Sequence, residues 1–243
     1  MKQFKFLMPF AMGLSMTAFL FSCNSGEEKK ADDKPADTTA KAETPPPPPP
    51  PPPPKMMVIK SKVANYAKWL PEYESHDSVR LASGLHSYMI ARGVQDTNTI
   101  MVMMVMDDTA KAKAFAASPG LKERMKKAGV VGPPEISYID VQMLDQTPNT
   151  TSTRLLVKHK VKDYDAWKKV FDADKPNREA AGLTDRSLSY EIGNNHLVSL
   201  VFLVADMKKA DEFGKSDALK KKMQEGGVEG APSMFYYTVA KKY

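Results

Sequence analysis

The sequence predicts an α+β fold in which two copies of one β-α-β-β-α-β unit close on each other as a barrel. Three observations predict it. The first is an internal repeat: Tyr66 and Trp69 return 98 residues later as Tyr164 and Trp167. At the same offset Arg80, Gly84 and Leu85 return as Arg178, Gly182 and Leu183, and Asp108, Phe115, Ser118, Leu121 and Met125 as Asp206, Phe213, Ser216, Leu219 and Met223. Gly129, Gly132, Pro134 and Val141 return as Gly227, Gly230, Pro232 and Val239, so no gap interrupts the match. The second is the order of local signals, which is the same in both copies. The third is a strand in each copy that is apolar on both faces.

In the first copy (residues 56–142), residues 56–63 alternate weakly and are β-prone. Tyr66, Trp69, Leu70 and Tyr73 then recur at helical spacing, with Arg80 further along the same stripe. Gly84 stops that helix from the position after its C-cap. Residues 86–92 read as a second strand, 94–98 as a turn and 99–106 as a third strand. Asp108 is a good N-cap for a helix carrying Phe115, and Ser118-Pro119 restarts it with proline at the first helical position. Gly129 closes the helix, and 136–141 is the last strand. This order makes a ferredoxin-like unit. The second copy (residues 154–243) predicts strands at 155–161, 186–192, 197–204 and 234–240, a helix over 163–180 and a second helical region over 207–225. Residues 143–153 read as a plain linker.

The third strands decide how the units meet. Ile100, Val102, Met104 and Met106 fall on one face, and Met101, Met103 and Val105 on the other. Residues 198–204 are likewise apolar on both faces apart from Ser199. Such a strand is covered on both sides. One copy's helices can cover only one face, so the other needs the sheet of the second copy. The two four-stranded sheets should therefore form an intramolecular pseudo-dimeric barrel with the helices outside.

The gapless pair, the Tyr-x-x-Trp helices and the late Gly-Val-x-Gly-x-Pro (129–134 and 227–232) resemble the dimeric α+β barrel superfamily. The run Val161-Lys162-Asp163-Tyr164-Asp165-Ala166-Trp167, continuing to Phe171, is especially similar to its antibiotic-biosynthesis-monooxygenase-like members. The resemblance covers about 56–243 and implies both protomers fused in one chain. It implies a range of functions, from cofactor-free oxygenases, haem-processing enzymes and isomerases to proteins without assigned activity. It also implies that a ligand would sit between the first helix and the sheet. A fold alone does not choose among these.

The N-terminus carries different information. Residues 1–22 read as an export signal, with Lys2 and Lys5 before an apolar stretch over 6–21. Leu20-Phe21-Ser22-Cys23 resembles a bacterial lipobox, although Phe21 is bulkier than is usual there. The resemblance implies lipidation of Cys23, the only cysteine, and hence an anchor in the bilayer of a bacterial envelope. Glu27-Glu28-Lys29-Lys30 resembles the charged export signals of surface lipoproteins in some Gram-negative bacteria, so the outer membrane is the expected location. A single cysteine also excludes a disulfide framework within the chain. Residues 23–55 then form a polar tether ending in ten prolines, Pro45 to Pro54. In polyproline II that run is a semi-rigid spacer of roughly 30 Å. The net charge is +6, or +4 without Lys2 and Lys5, with lysines spread over both copies. No nucleic-acid motif accompanies it, and nucleic acid is not an expected partner.

Chemistry is harder to find. The chain has no Gly-x-Ser-x-Gly elbow, His-Glu-x-x-His helix, Cys-x-x-Cys pair or Walker loop. None of the four histidines repeats: His76 matches Asp174, His86 matches Thr184, His159 matches Ser61 and His196 matches Asn98. His76 lies three residues after Tyr73 and four before Arg80, so a continuous helix would put the three on one face. Such a face could hold an anion or move a proton, and Tyr73, His76 and Arg80 are the candidate catalytic residues. The plainer alternative is a half-exposed histidine. In the second copy this face becomes Phe171, Asp174 and Arg178, with the last two spaced for an i,i+4 ion pair. Arg80 and Arg178 repeat, so each reads either as an anion-binding group or as a cation near a helix end. Trp69, Trp167 and His159 are candidate pocket residues whose structural alternative is core packing. His196 reads as an exposed turn residue. No metal is expected: the methionines at 101, 103, 104 and 106 become Ser199, Val201, Phe202 and Val204, so they read as core rather than thioether ligands.

The leading expectation is a non-catalytic, lipid-anchored monomer that presents the barrel on its spacer. It would bind a small apolar molecule or an envelope protein, without a cofactor. The rivals are a monooxygenase-like enzyme, a haem-processing variant and an assembly module of the envelope.

Overall fold

The computed structural model describes residues 52–243. The expected signal segment, Cys23 and the tether as far as residue 51 lie outside the described residues. The first copy runs β1 (Lys55–Val63), α1 (Tyr66–Glu74), α2 (Asp77–Ala82), β2 (Leu85–Gly93), β3 (Thr99–Met106), α3 (Thr109–Ala117), α4 (Pro119–Lys127) and β4 (Val130–Leu144). The second runs β5 (Thr153–Val161), α5 (Tyr164–Ala173), α6 (Lys175–Ala180), β6 (Leu183–Glu191), β7 (Asn194–Val204), α7 (Met207–Lys215), α8 (Asp217–Glu225) and β8 (Val228–Lys242). Side-chain caps start most of the helices. Asp108 accepts from the Lys111 amide and Asp163 from the Ala166 amide, both at 2.7 Å. Ser118 and Ser216 each accept from the amide three residues on, at 3.2 Å.

The eight strands form a closed antiparallel barrel in the order β1-β3-β2-β8-β5-β7-β6-β4. Each copy supplies four neighbouring strands, and the seams are β2 with β8 and β4 with β6. The two-faced strands are covered as the sequence predicts. Ile100, Val102, Met104 and Met106 pack under the helices of the first copy with Trp69 and Phe115. Met101 and Met103 point into the barrel and meet Leu156, Val201 and Tyr237 of the second copy. Leu200, Phe202 and Val204 pack under the second copy's helices with Trp167.

Three sequence expectations need correction. The helix expected over 163–180 is two helices, broken at Asp174 (φ −86, ψ 1). Pro176 explains the break, because it has no amide hydrogen and its ring clashes with the carbonyl four residues back. The first copy breaks at Ser75-His76 without such a proline; there the Ser75 hydroxyl donates to the Glu72 carbonyl at 2.9 Å and competes with the helical ladder. The last strands are also longer than expected, beginning at Val130 and Val228. Register shifts between Lys60 and Lys62, and between Lys158 and Lys160, mark a bulge beside these prolines and glycines, where ladder bonds are dispensable. Finally, the linker is not plain: Met143 and Leu144 pair with Leu188 and Ser187 at a seam, and the Asp145 amide donates to the Arg186 carbonyl at 2.9 Å.

An ion cluster ties the copies together. Glu135 on β4 meets Lys60 at 2.6 Å and Lys158 at 2.8 Å, and these two lysines are repeat equivalents. Burial pushes the Glu135 carboxyl up, but hydrogen bonds from Lys158 and Lys60 outweigh it and hold it at about 2. The stabilisation from this depressed carboxyl is complete above its usual value of 4.5 and is lost as the pH falls towards about 2. The glutamate side chain is 46% exposed, so solvent screening keeps the contribution to about 1 kcal/mol. Urea denaturation should therefore show Glu135→Gln less stable by that amount at pH 7. The gap should close as the pH is lowered through the window from 4.5 to 2. A gap that persists unchanged at low pH would assign the effect to packing instead.

Candidate functional site

Each copy has a cleft between its helices and the outer face of its sheet, and the two differ. The first is about 60 Å³ and is lined by Ser61, Trp69, Tyr73, His76, Arg80 and Phe115, among others. The second is about 130 Å³ and is lined by His159, Trp167, Phe171, Arg178, Phe202 and Gly214, among others. All the site residues expected from the sequence thus line one cleft or the other, although His76 reaches its cleft from the break between α1 and α2 rather than from a continuous helical face.

The repeated arginines are built into the helix breaks. Arg80 Nη1 donates to the Tyr73 carbonyl and Arg178 Nη1 to the Phe171 carbonyl, each at 2.5 Å. These carbonyls are ones that the breaks release from the helical ladder. Each guanidinium also lies over the ring of the same residue, 3.8 Å from Tyr73 and 3.7 Å from Phe171. Beyond this the copies diverge. Arg178 makes a two-point pair with Asp185, Nε to Oδ1 at 2.9 Å and Nη2 to Oδ2 at 2.7 Å. The expected Asp174–Arg178 ion pair is replaced by this one; Asp174 stands at the N-cap of α6, and its carboxylate accepts instead from Asn177 Nδ2 at 2.7 Å. In the first copy Ser87 stands where Asp185 does, and its hydroxyl shares a 2.8 Å hydrogen bond with the Tyr73 hydroxyl. Arg80 turns to the half-exposed Asp77 at 2.9 Å, and its Nε has no partner.

His76 is partly buried beside the Phe115 ring, with centroids 6.4 Å apart. Burial, then the charges of Arg124 and Arg80, lower its pKa, which favours the neutral ring. The first cleft is also strapped from outside, where Glu72 on α1 faces Arg124 and Lys127 on α4 at 3.8 Å and 3.5 Å.

The second cleft lacks that strap, since Val170 stands at the equivalent of Glu72. It also has Gly214 where the first copy has Ala116. A Cβ added to Gly214 would meet only the Met234 methyl, at 3.6 Å. A glycine inside a helix costs about 1 kcal/mol relative to alanine, and here it leaves the cleft wall open. His159 projects into this space from β5, with its ring edge against Trp167 at 5.4 Å between centroids. Both of its ring nitrogens are buried and have no hydrogen-bond partner, and burial lowers its pKa to about 4. It is a neutral imidazole with one donor and one acceptor unused.

Sequence reasoning missed a third group, inside the barrel. Arg154, Arg186 and Tyr237 line a cavity of about 220 Å³. Their repeat equivalents are Met56, Tyr88 and Ile139, so the signal was two arginines at positions where the first copy has apolar or aromatic residues. His86, one of the four histidines, is exposed and pairs with Asp107 at 3.0 Å. His196 is exposed as expected, with Nδ1 3.0 Å from the Val161 carbonyl oxygen. Among the described residues no group of three or more His, Cys, Asp and Glu side chains gathers into a metal site.

No protein-family model matches the chain, and no curated protein matches it. Solved structures do. An anthrone oxidase-like protein is 12% identical with a TM-score of 0.52, over 78% of this chain and 92% of that one. A putative monooxygenase from Lactobacillus acidophilus NCFM is 14% identical with a TM-score of 0.48, over 77% of this chain and 94% of that one. A heme-degrading enzyme from Listeria monocytogenes is 7% identical with a TM-score of 0.40, over 75% and 99%. What is shared is the fold, the ferredoxin-like α+β barrel.

The arginine geometry makes a prediction about stability. Arg178→Met strands the carboxylate of Asp185, whose side chain is 14% exposed, and should cost about 3–5 kcal/mol. Arg80→Met strands only the half-exposed Asp77 and should cost about 1–2 kcal/mol. Urea midpoints of the two variants check the order; equal losses would contradict it.

Proposed function

We propose that the protein is a binding module whose second-copy cleft takes a small, uncharged, single-ring molecule carrying one hydroxyl or carbonyl. The observation that carries this reading is His159: two buried, partnerless nitrogens in a mostly apolar cleft of about 130 Å³, whose charged lining residues Asp174, Arg178 and Lys222 already have partners. A dry apolar cavity of about 150 Å³ holds a benzene-sized molecule. An unmet buried polar atom costs about 1–3 kcal/mol, which a ligand hydroxyl on His159 would recover. Phe171, Phe202 and Trp167 supply ring faces for packing.

Catalysis is less well supported. An imidazole held at about 4 is a weak general base at neutral pH, and no carboxylate is hydrogen-bonded to either nitrogen. The barrel shared with monooxygenase-like and heme-degrading proteins is a likeness of fold and brings no residue roles with it. At about 130 Å³ the cleft is below the about 300–1,000 Å³ of ordinary ligand pockets, which favours a ligand smaller than haem.

Titration of the full chain with phenol and with toluene, followed by Trp fluorescence in a Trp69→Phe background, tests the reading. Phenol should bind about tenfold more tightly than toluene. Gly214→Leu, which fills the cleft, should abolish both signals. Binding that survives Gly214→Leu, or no preference for phenol, would overturn it.

The reading includes the anchor: the protein is a monomeric pseudo-dimer held to a bacterial envelope membrane through lipidated Cys23, with the proline run as a spacer. The Leu20-Phe21-Ser22-Cys23 sequence supports this. Radiolabelled palmitate should enter the protein in cells and membrane fractions should retain it, and Cys23→Ser should remove both. Labelling unaffected by Cys23→Ser would refute the anchor.

A further inference from the structure

The barrel interior is apolar for most of its length, with Met101, Met103, Val58, Ala91 and Leu156 among its fillers. One end departs from this. Arg154 and Tyr237 are direct cross-strand partners on β5 and β8. Arg186 joins them through a bulge in β6. The β6–β7 register shifts between Asp185 and Ser187, which places Arg186 at the extra position. Asp185 faces the helices and pairs with Arg178, whereas Arg186 and Ser187 both line the interior cavity. Without the bulge, alternation would send Arg186 and Ser187 to opposite faces.

Arg186 and Tyr237 are buried and Arg154 is partly buried, and several of their polar atoms are unanswered. Arg186 is 9% exposed, and its Nη1 donates to the Thr147 carbonyl at 2.8 Å, with half-exposed Asp145 at 3.6 Å. Arg154 forms no ion pair among the described residues; its Nη1 rests 3.7 Å from the Met89 sulfur and its Nε is buried without a partner. Tyr237 is fully buried, and its hydroxyl has no partner. Burial pushes that phenol up to about 12 while Arg154 pulls the other way, so it is a neutral donor. The Arg154 Nε and the Tyr237 hydroxyl are thus buried polar atoms left unmet, which is costly and calls for an explanation in a native interior.

The space beside these groups has two parts. The inner chamber of about 220 Å³ is walled by Met56, Met89, Met103, Ile139, Val141 and Val201. An outer hollow is walled by the linker segment 146–152 and shares Gln146, Arg154, Arg186 and Lys242 with the chamber. The shared residues form a neck with three cationic side chains, against which the half-exposed Asp145 stands 3.6 Å from Arg186.

We infer that this end of the barrel binds a small carboxylate with a short apolar tail, the carboxylate at the Arg154–Arg186–Tyr237 neck and the tail in the methionine-lined chamber. Two guanidinium groups supply charge-assisted donors suited to a carboxylate, and the phenol supplies a third. The thioether-lined chamber adapts to a flexible tail better than a branched wall would. This site is separate from the helix–sheet cleft of the second copy, and its test is built to fail separately.

The test is calorimetric titration of the full chain with hexanoate, hexanol and sulfate, in a Gly214→Leu background that closes the cleft. Hexanoate should bind at least tenfold more tightly than either of the others. Arg154→Met, which installs the residue the first copy carries at this position, should weaken hexanoate at least tenfold and leave hexanol unchanged. Methyl NMR of the protein without substitution serves if a variant misfolds: hexanoate should shift the Met89 and Met103 methyls. Equal binding of hexanol, undiminished binding to the Arg154→Met variant, or shifts confined to Met223 and Met234 of the helix–sheet cleft would overturn the proposal. Sulfate binding as tightly as hexanoate would mark an adventitious anion site and would also overturn it.

Discussion

The constraint on which the structure depends is that every strand edge must be paired and both faces of every sheet covered. A four-stranded sheet from one copy has two open edges and an inner face carrying Met56, Val58, Met101 and Met103. Water cannot satisfy that face, and open edges are sites of wrong pairing. The second copy answers both needs at once. Its edges complete the β2–β8 and β4–β6 seams, and its inner face fills the barrel. The helices are then free to serve only the outer faces, which is why a helix–sheet cleft occurs twice and the barrel interior once.

The asymmetry of those clefts arises from a few small exchanges on one frame. Ser61 becomes His159, Glu72 becomes Val170, Ala116 becomes Gly214, and the pair Tyr73 and Ser87 becomes Phe171 and Asp185. The last exchange is coupled. Where the tyrosine hydroxyl is lost, its serine partner gives way to a carboxylate that answers the buried arginine. The second arginine is thereby locked into the frame, while the first keeps an unmet Nε. Removing the Glu72 strap and the Ala116 methyl together opens the second cleft, and the histidine is left there with both ring nitrogens unpartnered.

Much of the fold was legible in the sequence because it depends on periodicity. The 98-residue offset, the two-faced third strands and the cap residues Asp108 and Ser118 report local geometry that tertiary contacts did not override. The helix breaks were less legible. The stripe from Tyr66 to Arg80 continues through Ser75-His76, and the break depends on a hydroxyl–carbonyl contact that no period records. The strands beginning at Val130 and Val228 were hidden by Gly and Pro, residues that mark turns as often as bulges. The candidate residues Trp69, Tyr73, His76, Arg80, His159, Trp167 and Arg178 lie in the helix–sheet layers. The interior group was missed because Arg186 reaches the lumen through a bulge, and a bulge reverses the alternation used to assign strand faces.

Fusion of the two units has a consequence for what the interior can hold. In a barrel made from two identical chains, every substitution appears twice, related by the symmetry axis. An arginine pair introduced at one end would be mirrored by another at the opposite side of the same narrow lumen, and four guanidinium groups would repel one another without solvent to screen them. A single polypeptide removes that coupling: Arg154 and Arg186 face Met56 and Tyr88, not copies of themselves. Gene duplication followed by fusion thus lets one wall of a buried chamber turn cationic while the other stays greasy, a combination closed to the homodimer.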